Sequence, residues 1–172
     1  SGTGFAEAAP RMIDIDGLVK WYGPTQALRG VSARLERGQV LGFLGPNGAG
    51  KSTTMKILTG YLLPDAGSAR IGGHDVVAHP TAAKRLVGYL PENNPLYHDM
   101  AVVDFLDFAA RARGVAPADR RRRIAEAVAA VSLEEMFHKA IGELSKGYRQ
   151  RVGLAQALVH DPEVLILDEP TS

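Results

Sequence analysis

Two stretches hold residue types whose spacing could do chemistry together. GPNGAGKS, from Gly45 to Ser52, fits the pattern G-x-x-x-x-G-K-S/T and stands between an apolar run and a helix-like stretch. Glycines at 45, 48 and 50 permit backbone angles that side chains forbid, so successive N–H groups can converge on phosphate oxygens. The helix that follows would add the positive end of its dipole. Lys51 could then reach the β- and γ-phosphates of a nucleotide as a point charge, while the Ser52 hydroxyl ligates Mg²⁺. The second stretch is VLILDEPTS, in which apolar Val164–Leu167 runs into Asp168 and Glu169. A phosphate loop of this kind needs an acid from a neighbouring strand to hold Mg²⁺, usually through water, and Asp168 is the natural candidate. Strand neighbours point to opposite faces, but a bend at the strand's end would let Glu169 address the space beyond the γ-phosphate. There it could orient and deprotonate an attacking water.

These groups need a frame of strands and helices to bring them together. Alternation at Ile13, Ile15, Leu18 and Val19 predicts an edge strand over 12–22. VSARL at 31–35 alternates too, and after the Arg37-Gly38 turn VLGFL at 40–44 is apolar throughout, as a strand covered on both faces would be. KSTTMKILTGYL predicts a helix with Gly60 near its end, SARIGG a short strand, and LVGYL at 86–90 another. Residues 96–143 then read as a helical block, whose second helix opens on Pro117 at a favoured first-turn position. In SKGYRQRVGLAQALVH the apolar residues at 148, 152, 155, 158 and 159 share one helical face. Residues 1–11 read as a disordered leader.

Bulk properties narrow the function classes. Apolar content of 45% and charged content of 23% are ordinary for a globular protein with one real core. A net charge of +1 argues against a polyanion-binding protein as a whole. With no cysteine there is no disulfide framework and no thiolate metal site. The apolar runs fall far short of the roughly 20 residues that span a bilayer, so a membrane role would have to come through a partner.

LSKGYRQRVGLAQAL, at 144–158, resembles the LSGGQ-x-x-R signature of ATP-binding cassette (ABC) ATPases, and stands just before the strand carrying Asp168 and Glu169, as in that family. Tyr22 in WYG matches the family's adenine-stacking aromatic, PEN at 91–93 falls at its Q-loop, and LDEPTS is its wording too. The finer likeness is to exporter-type subunits of the drug, polysaccharide and gliding-motility group. The resemblance implies an α/β fold: a P-loop NTPase core with a mostly parallel sheet, an N-terminal antiparallel β subdomain and an inserted helical subdomain at about 96–160, all within 12–172. It implies that Tyr22, Gly45, Pro46, Asn47, Gly48, Ala49, Gly50, Lys51, Ser52 and Thr53 bind ATP. Ser145, Gly147 and Tyr148 would be supplied in trans by a second subunit in a head-to-tail dimer, Ser145 capping its helix. Mg²⁺ would be held by Ser52, Asp168 and Glu92, with Glu169 catalytic. The partner would be an integral membrane permease, and the location the cytoplasmic face of the plasma membrane.

Two departures from the family's pattern stand out. Lys146 and Tyr148 replace a Gly and a Gln of the signature; Lys146 either attracts the triphosphate or points to solvent. Glu92 replaces the Q-loop Gln, which adds a charge near Asp168 and Glu169. The stretch from Arg111 to Arg123 holds six arginines in thirteen residues. It reads as a solvated helix face paired with Glu126, ahead of contact with anionic lipid, with nucleic-acid binding last. The histidines, His160 among them, show no ligand spacing, and Trp21, Phe105 and Phe108 read as packing. An alternative function is an ABC-type ATPase acting on ribosomes or DNA; a P-loop kinase would leave LSKGY unexplained. Finally, an unbroken apolar strand such as 164–167 should feed a crossover helix and another strand. The expectation is therefore a C-terminally truncated fragment that binds nucleotide weakly and turns over poorly.

Overall fold

A computed structural model describes residues 11–37, 49–90 and 97–167; the apolar run 40–44 and the leader up to residue 10 lie outside them. Two compact units divide the chain between Lys84 and Arg85.

In the first unit, strands β1 (Arg11–Tyr22), β2 (Thr25–Glu36), β3 (Ala66–Ile71) and β4 (His74–Asp75) form an antiparallel sheet in the order β2-β1-β3-β4. β1 is therefore interior, not the edge strand that its sequence suggested, and Arg11, read as leader, already belongs to it. The apolar positions Ile13, Ile15 and Leu18 change parity partway along β1, which would turn Leu18 to the wrong face of a regular strand. Register shifts between Ile15 and Leu18 and between Asp16 and Val19 absorb the change, and all three side chains are buried. β1 turns into β2 at Gly23-Pro24. Gly23 has φ 57°, and with the ring-fixed negative φ of proline this gives the sign pattern of a two-residue II′ hairpin.

Helix α1 (Ala49–Leu58) packs on β2 and β3 and buries Met55, Ile57 and Leu58. Two buried threonines turn back on the helix backbone: Thr54 Oγ1 donates to the Gly50 carbonyl at 2.9 Å and Thr59 Oγ1, just past the helix end, to that of Met55 at 2.8 Å. α1 ends in a Schellman motif. The Tyr61 N–H returns to the Lys56 carbonyl at 2.8 Å and that of Gly60 to Ile57 at 3.2 Å, with Gly60 at φ 81°. A short helix, α2 (Pro80–Arg85), follows.

The second unit pairs β5 (Val87–Leu90) in parallel with β6 (Val164–Leu167), Val87 opposite Val164. Between them come α3 (Val102–Ala112), α4 (Pro117–Ala130), two 3-10 turns and α5 (Lys146–Leu158). The helices share one apolar core that includes Phe105, Leu106, Val128, Val152, Ala155 and Val159. The apolar stripe of α5 thus packs as its spacing predicts, and Pro117 opens α4. Phe108 and Trp21, read as packing, are instead 49% and 47% exposed. β6 alternates: Val164 and Ile166 are buried, whereas Leu165 and Leu167 are 40% and 38% exposed, so the strand is not covered on both faces as its composition suggested. β5 is its one strand neighbour among the described residues.

Gly88 sets how closely α5 lies on β5. A Cβ there would overlap the Ala157 carbonyl, which is backbone and cannot swing aside. Gly88→Ala is expected to destabilise the fold by about 1–3 kcal/mol, as a drop in denaturation midpoint in urea. An unchanged midpoint would mean that the strand–helix spacing is elastic.

Candidate functional site

The first cluster forms where β1 ends and α1 begins. Ala49, Gly50, Lys51, Ser52 and Thr53 make the first turn of α1; Gly45, Pro46, Asn47 and Gly48 lie outside the described residues. No acidic side chain stands in that turn, so nothing there offsets the positive end of the helix dipole, and Lys51 adds a full charge. Gly50 lies against β2: a Cβ would come within 3.3 Å of the Ala27 carbonyl, so the helix starts hard on the sheet. Lys51 and Ser52 are half-buried, and Thr53 is buried. Tyr22, at the end of β1, is exposed, and its hydroxyl lies 3.3 Å from Thr53 Oγ1. An open aromatic face and a cationic helix end therefore adjoin. That arrangement suits a ligand with a flat base at one end and phosphates at the other.

The second cluster is the start of α5. Ser145 is its N-cap, in extended backbone, and its hydroxyl accepts the Tyr148 N–H at 3.2 Å. This turn also lacks acids. Lys146 is exposed, in keeping with the solvent-facing alternative. Gly147 has no positive φ, and among the described residues a Cβ on it would meet only Ser145 Oγ at 4.0 Å, so nothing among them calls for glycine there. The Tyr148 ring packs partly on the helical core and carries the Arg151 guanidinium at 5.1 Å. Ser145→Ala is expected to cost about 1 kcal/mol of stability by thermal denaturation, and Ser145→Asp to retain most of it. Equal losses in both variants would show that the cap contributes nothing. Glu92, Asp168 and Glu169 lie outside the described residues.

A third cluster escaped the sequence reading. Arg113 was taken as part of a solvated arginine face, and Arg122 fits that view, pairing with Asp119 at 3.1 Å and Glu126 at 3.8 Å. Arg113 is exposed as well, yet its guanidinium also reaches β5, where Nη2 donates to the Val87 carbonyl and lies 2.8 Å from His160 Nε2. Arg123 reaches Asp161 at 2.9 Å. Burial, then the adjacent Arg113 charge, holds the His160 pKa below the ordinary histidine range; the Val87 carbonyl and Asp161 pull the other way without offsetting this. Arg113 and His160 are 47 residues apart, and no periodicity links them.

The sequence pattern described as ABC transporter matches residues 28–172. The chain belongs to the ABC transporter family. Among curated ABC proteins, it is 41% identical over 94% of its length to the ATP-binding protein YxlF of Bacillus subtilis strain 168, covering 53% of that protein. It is 38% identical over 95% of its length to the daunorubicin resistance ATP-binding protein DrrA3 of Streptomyces coeruleorubidus, covering 52% of it. The chain thus spans about half the length of these curated relatives. Among solved structures, a protein described as cbiO1 from Clostridium perfringens, part of the ABC transporter complex cbiONQ, superposes with a TM-score of 0.83 at 29% identity. That match covers 94% of this chain and 66% of the other. An ATP-binding subunit of an ABC transporter gives a TM-score of 0.81 at 31% identity, covering 92% and 66%. The ABC fold is thus shared: an α/β P-loop NTPase with an N-terminal antiparallel sheet.

Proposed function

We propose that this chain carries the ATP-binding and hydrolysing machinery of an ABC membrane exporter, in which MgATP draws two ATPase subunits together and hydrolysis lets them part. The observation that carries the reading is the pair of acid-free helix starts. One holds Lys51 and Ser52 beside Tyr22; the other is capped by Ser145 and bears a glycine that no contact among the described residues requires. Helix ends of this kind suit phosphate, and a triphosphate between two subunits has two sides to be held.

In this reading Tyr22 stacks on the adenine, Gly45 to Thr53 surround the phosphates, and Lys51 draws charge from the γ-phosphate. Mg²⁺, when bound, would be held by Ser52, Asp168 and Glu92, and would neutralise phosphate charge. Glu169 accepts a proton from water as the water oxygen bonds to the γ-phosphorus and the bond to the β–γ bridging oxygen breaks, leaving ADP and phosphate. Ser145, Gly147 and the Tyr148 backbone approach the γ-phosphate from the second subunit. Gly147 keeps that approach free of a side chain.

No helix among the described residues is long and apolar enough to cross a membrane. What supports a separate permease is the likeness to an ATP-binding subunit of an ABC transporter and to one part of a transporter complex; that permease would hold the protein at the cytoplasmic face of the plasma membrane. Tyr97 and Phe108, exposed and with ring centroids 5.8 Å apart, offer that partner an aromatic surface just past the Glu92 segment. The full-length protein, produced with its genomic neighbours and extracted in mild detergent, is expected to co-purify with an integral membrane protein. Recovery with ribosomes or DNA instead would sink the exporter reading.

A further inference from the structure

β1 loses its neighbour on one side before it reaches Tyr22. Its ladder to β3 stops at Val19 opposite Ala66, while Lys20, Trp21 and Tyr22 go on pairing with β2 as a two-stranded ribbon. Such ribbons twist strongly and are marginal by themselves. The β1–β2 register also shifts between Lys20 and Trp21, an irregularity at which a strand bends. Tyr22 therefore stands on a weakly supported end of the strand.

Asp65 makes good that loss. Its N–H donates to the Val19 carbonyl at 2.8 Å, and its Oδ2 accepts the Trp21 N–H at 2.7 Å. The carboxylate thus takes the place of a strand acceptor and carries the β3 side of the ladder past the register shift. Its other oxygen, Oδ1, lies 3.6 Å from Lys20 Nζ, but the Asp65 side chain is 45% exposed and that ion pair adds little. Gly67, near the start of β3, permits the close approach. A Cβ there would overlap the Gly17 carbonyl, and its φ of 80° disfavours any side chain. At its far end the Tyr22 ring is tied as well, its hydroxyl lying 3.3 Å from Thr53 Oγ1 on α1.

We infer that Asp65 is a positioning residue for the base end of the bound nucleotide: by fixing the Trp21 backbone it holds the neighbouring Tyr22 ring where a flat base stacks on it. The inference rests on the ATPase reading above, in which Tyr22 meets the adenine. With the backbone held at Trp21 and the hydroxyl at Thr53, the ring has few orientations left to lose when the base arrives. Without the Asp65 bond the ribbon end moves, and part of the stacking is forfeited.

The test uses the full-length protein, with affinity for the fluorescent analogue MANT-ATP and steady-state ATP hydrolysis measured in the parent, Asp65→Ala, Tyr22→Ala and the double variant. Tyr22→Ala, which removes the ring, is expected to weaken MANT-ATP binding about tenfold or more. Asp65→Ala is expected to weaken it about fivefold and to raise KM to match, with kcat unchanged, because stacking holds ground state and transition state alike. In the double variant Asp65→Ala should add less than about twofold, since no ring is left to position. Asp65→Asn keeps an oxygen for the Trp21 N–H and should recover most of the affinity. An Asp65→Ala loss just as large without the Tyr22 ring would mark a merely structural role and overturn the inference. Asp65→Asn as weak as Asp65→Ala would move the effect to the Lys20 pair and overturn it too. MANT-ATP binding that ignores Tyr22→Ala would overturn the adenine-stacking reading and the inference together, whereas binding that needs Tyr22 and ignores Asp65→Ala removes the inference alone.

Discussion

Replacing Lys51 with alanine is expected to weaken ATP binding by the full-length protein by about 10- to 100-fold. A charge-assisted hydrogen bond contributes about 1.5–3 kcal/mol, and each 1.4 kcal/mol is a factor of ten. Lys51 is half-buried in the first turn of α1, so its charge is only partly screened by water. Helix stability should scarcely change, because alanine is the better helix former. Titration with MANT-ATP alongside circular dichroism separates the two effects. An unchanged affinity with an intact fold would reduce the glycine-rich stretch to an ordinary turn.

Replacing Glu169 with glutamine is expected to act on turnover and spare binding. General-base catalysis is worth about 10²–10⁴ in rate, and the amide can still orient water but cannot take its proton. ATP affinity should hold or rise, since one negative charge leaves the neighbourhood of the triphosphate. Single-turnover release of phosphate measures the loss. A decline of only a few-fold would move the base elsewhere, with Glu92 the next residue to substitute.

Much of the fold could be read in advance where one local rule governs. The stripe at 148, 152, 155, 158 and 159 places α5, Pro117 marks the first turn of α4, and Ser145 caps as its chemistry suggests. What escaped depends on neighbours that no short window contains. β1 looked like an edge because alternation reports which face is buried, and is silent on how many strands lie alongside. β2 was recognised only at 31–35, since the residues from Thr25 to Gly30 lack a clear alternation, yet they pair with β1 through the Gly23-Pro24 turn. Trp21 and Phe108 were assigned to packing by size alone, and large apolar residues do occur at surfaces. The Arg113–His160 contact joins two helix ends through a strand carbonyl. That arginine is exposed, as composition suggested, but composition carries no sign of the contact it makes. The proposed phosphate-binding residues rest on a different kind of signal: glycines, a lysine and a hydroxyl at fixed spacing match the demands of a phosphate group, and those demands are local.

ATP-dependent pairing of two subunits tests the central claim most directly. The full-length Glu169→Gln protein, which should bind ATP without consuming it, is to be followed by light scattering on a sizing column with and without MgATP. If the two helix starts face each other across the proposed dimer, a nucleotide-dependent dimer is expected that disappears with Ser145→Arg while MANT-ATP binding is retained. A protein that saturates with ATP and stays monomeric, or a dimer indifferent to Ser145→Arg, would contradict the shared site.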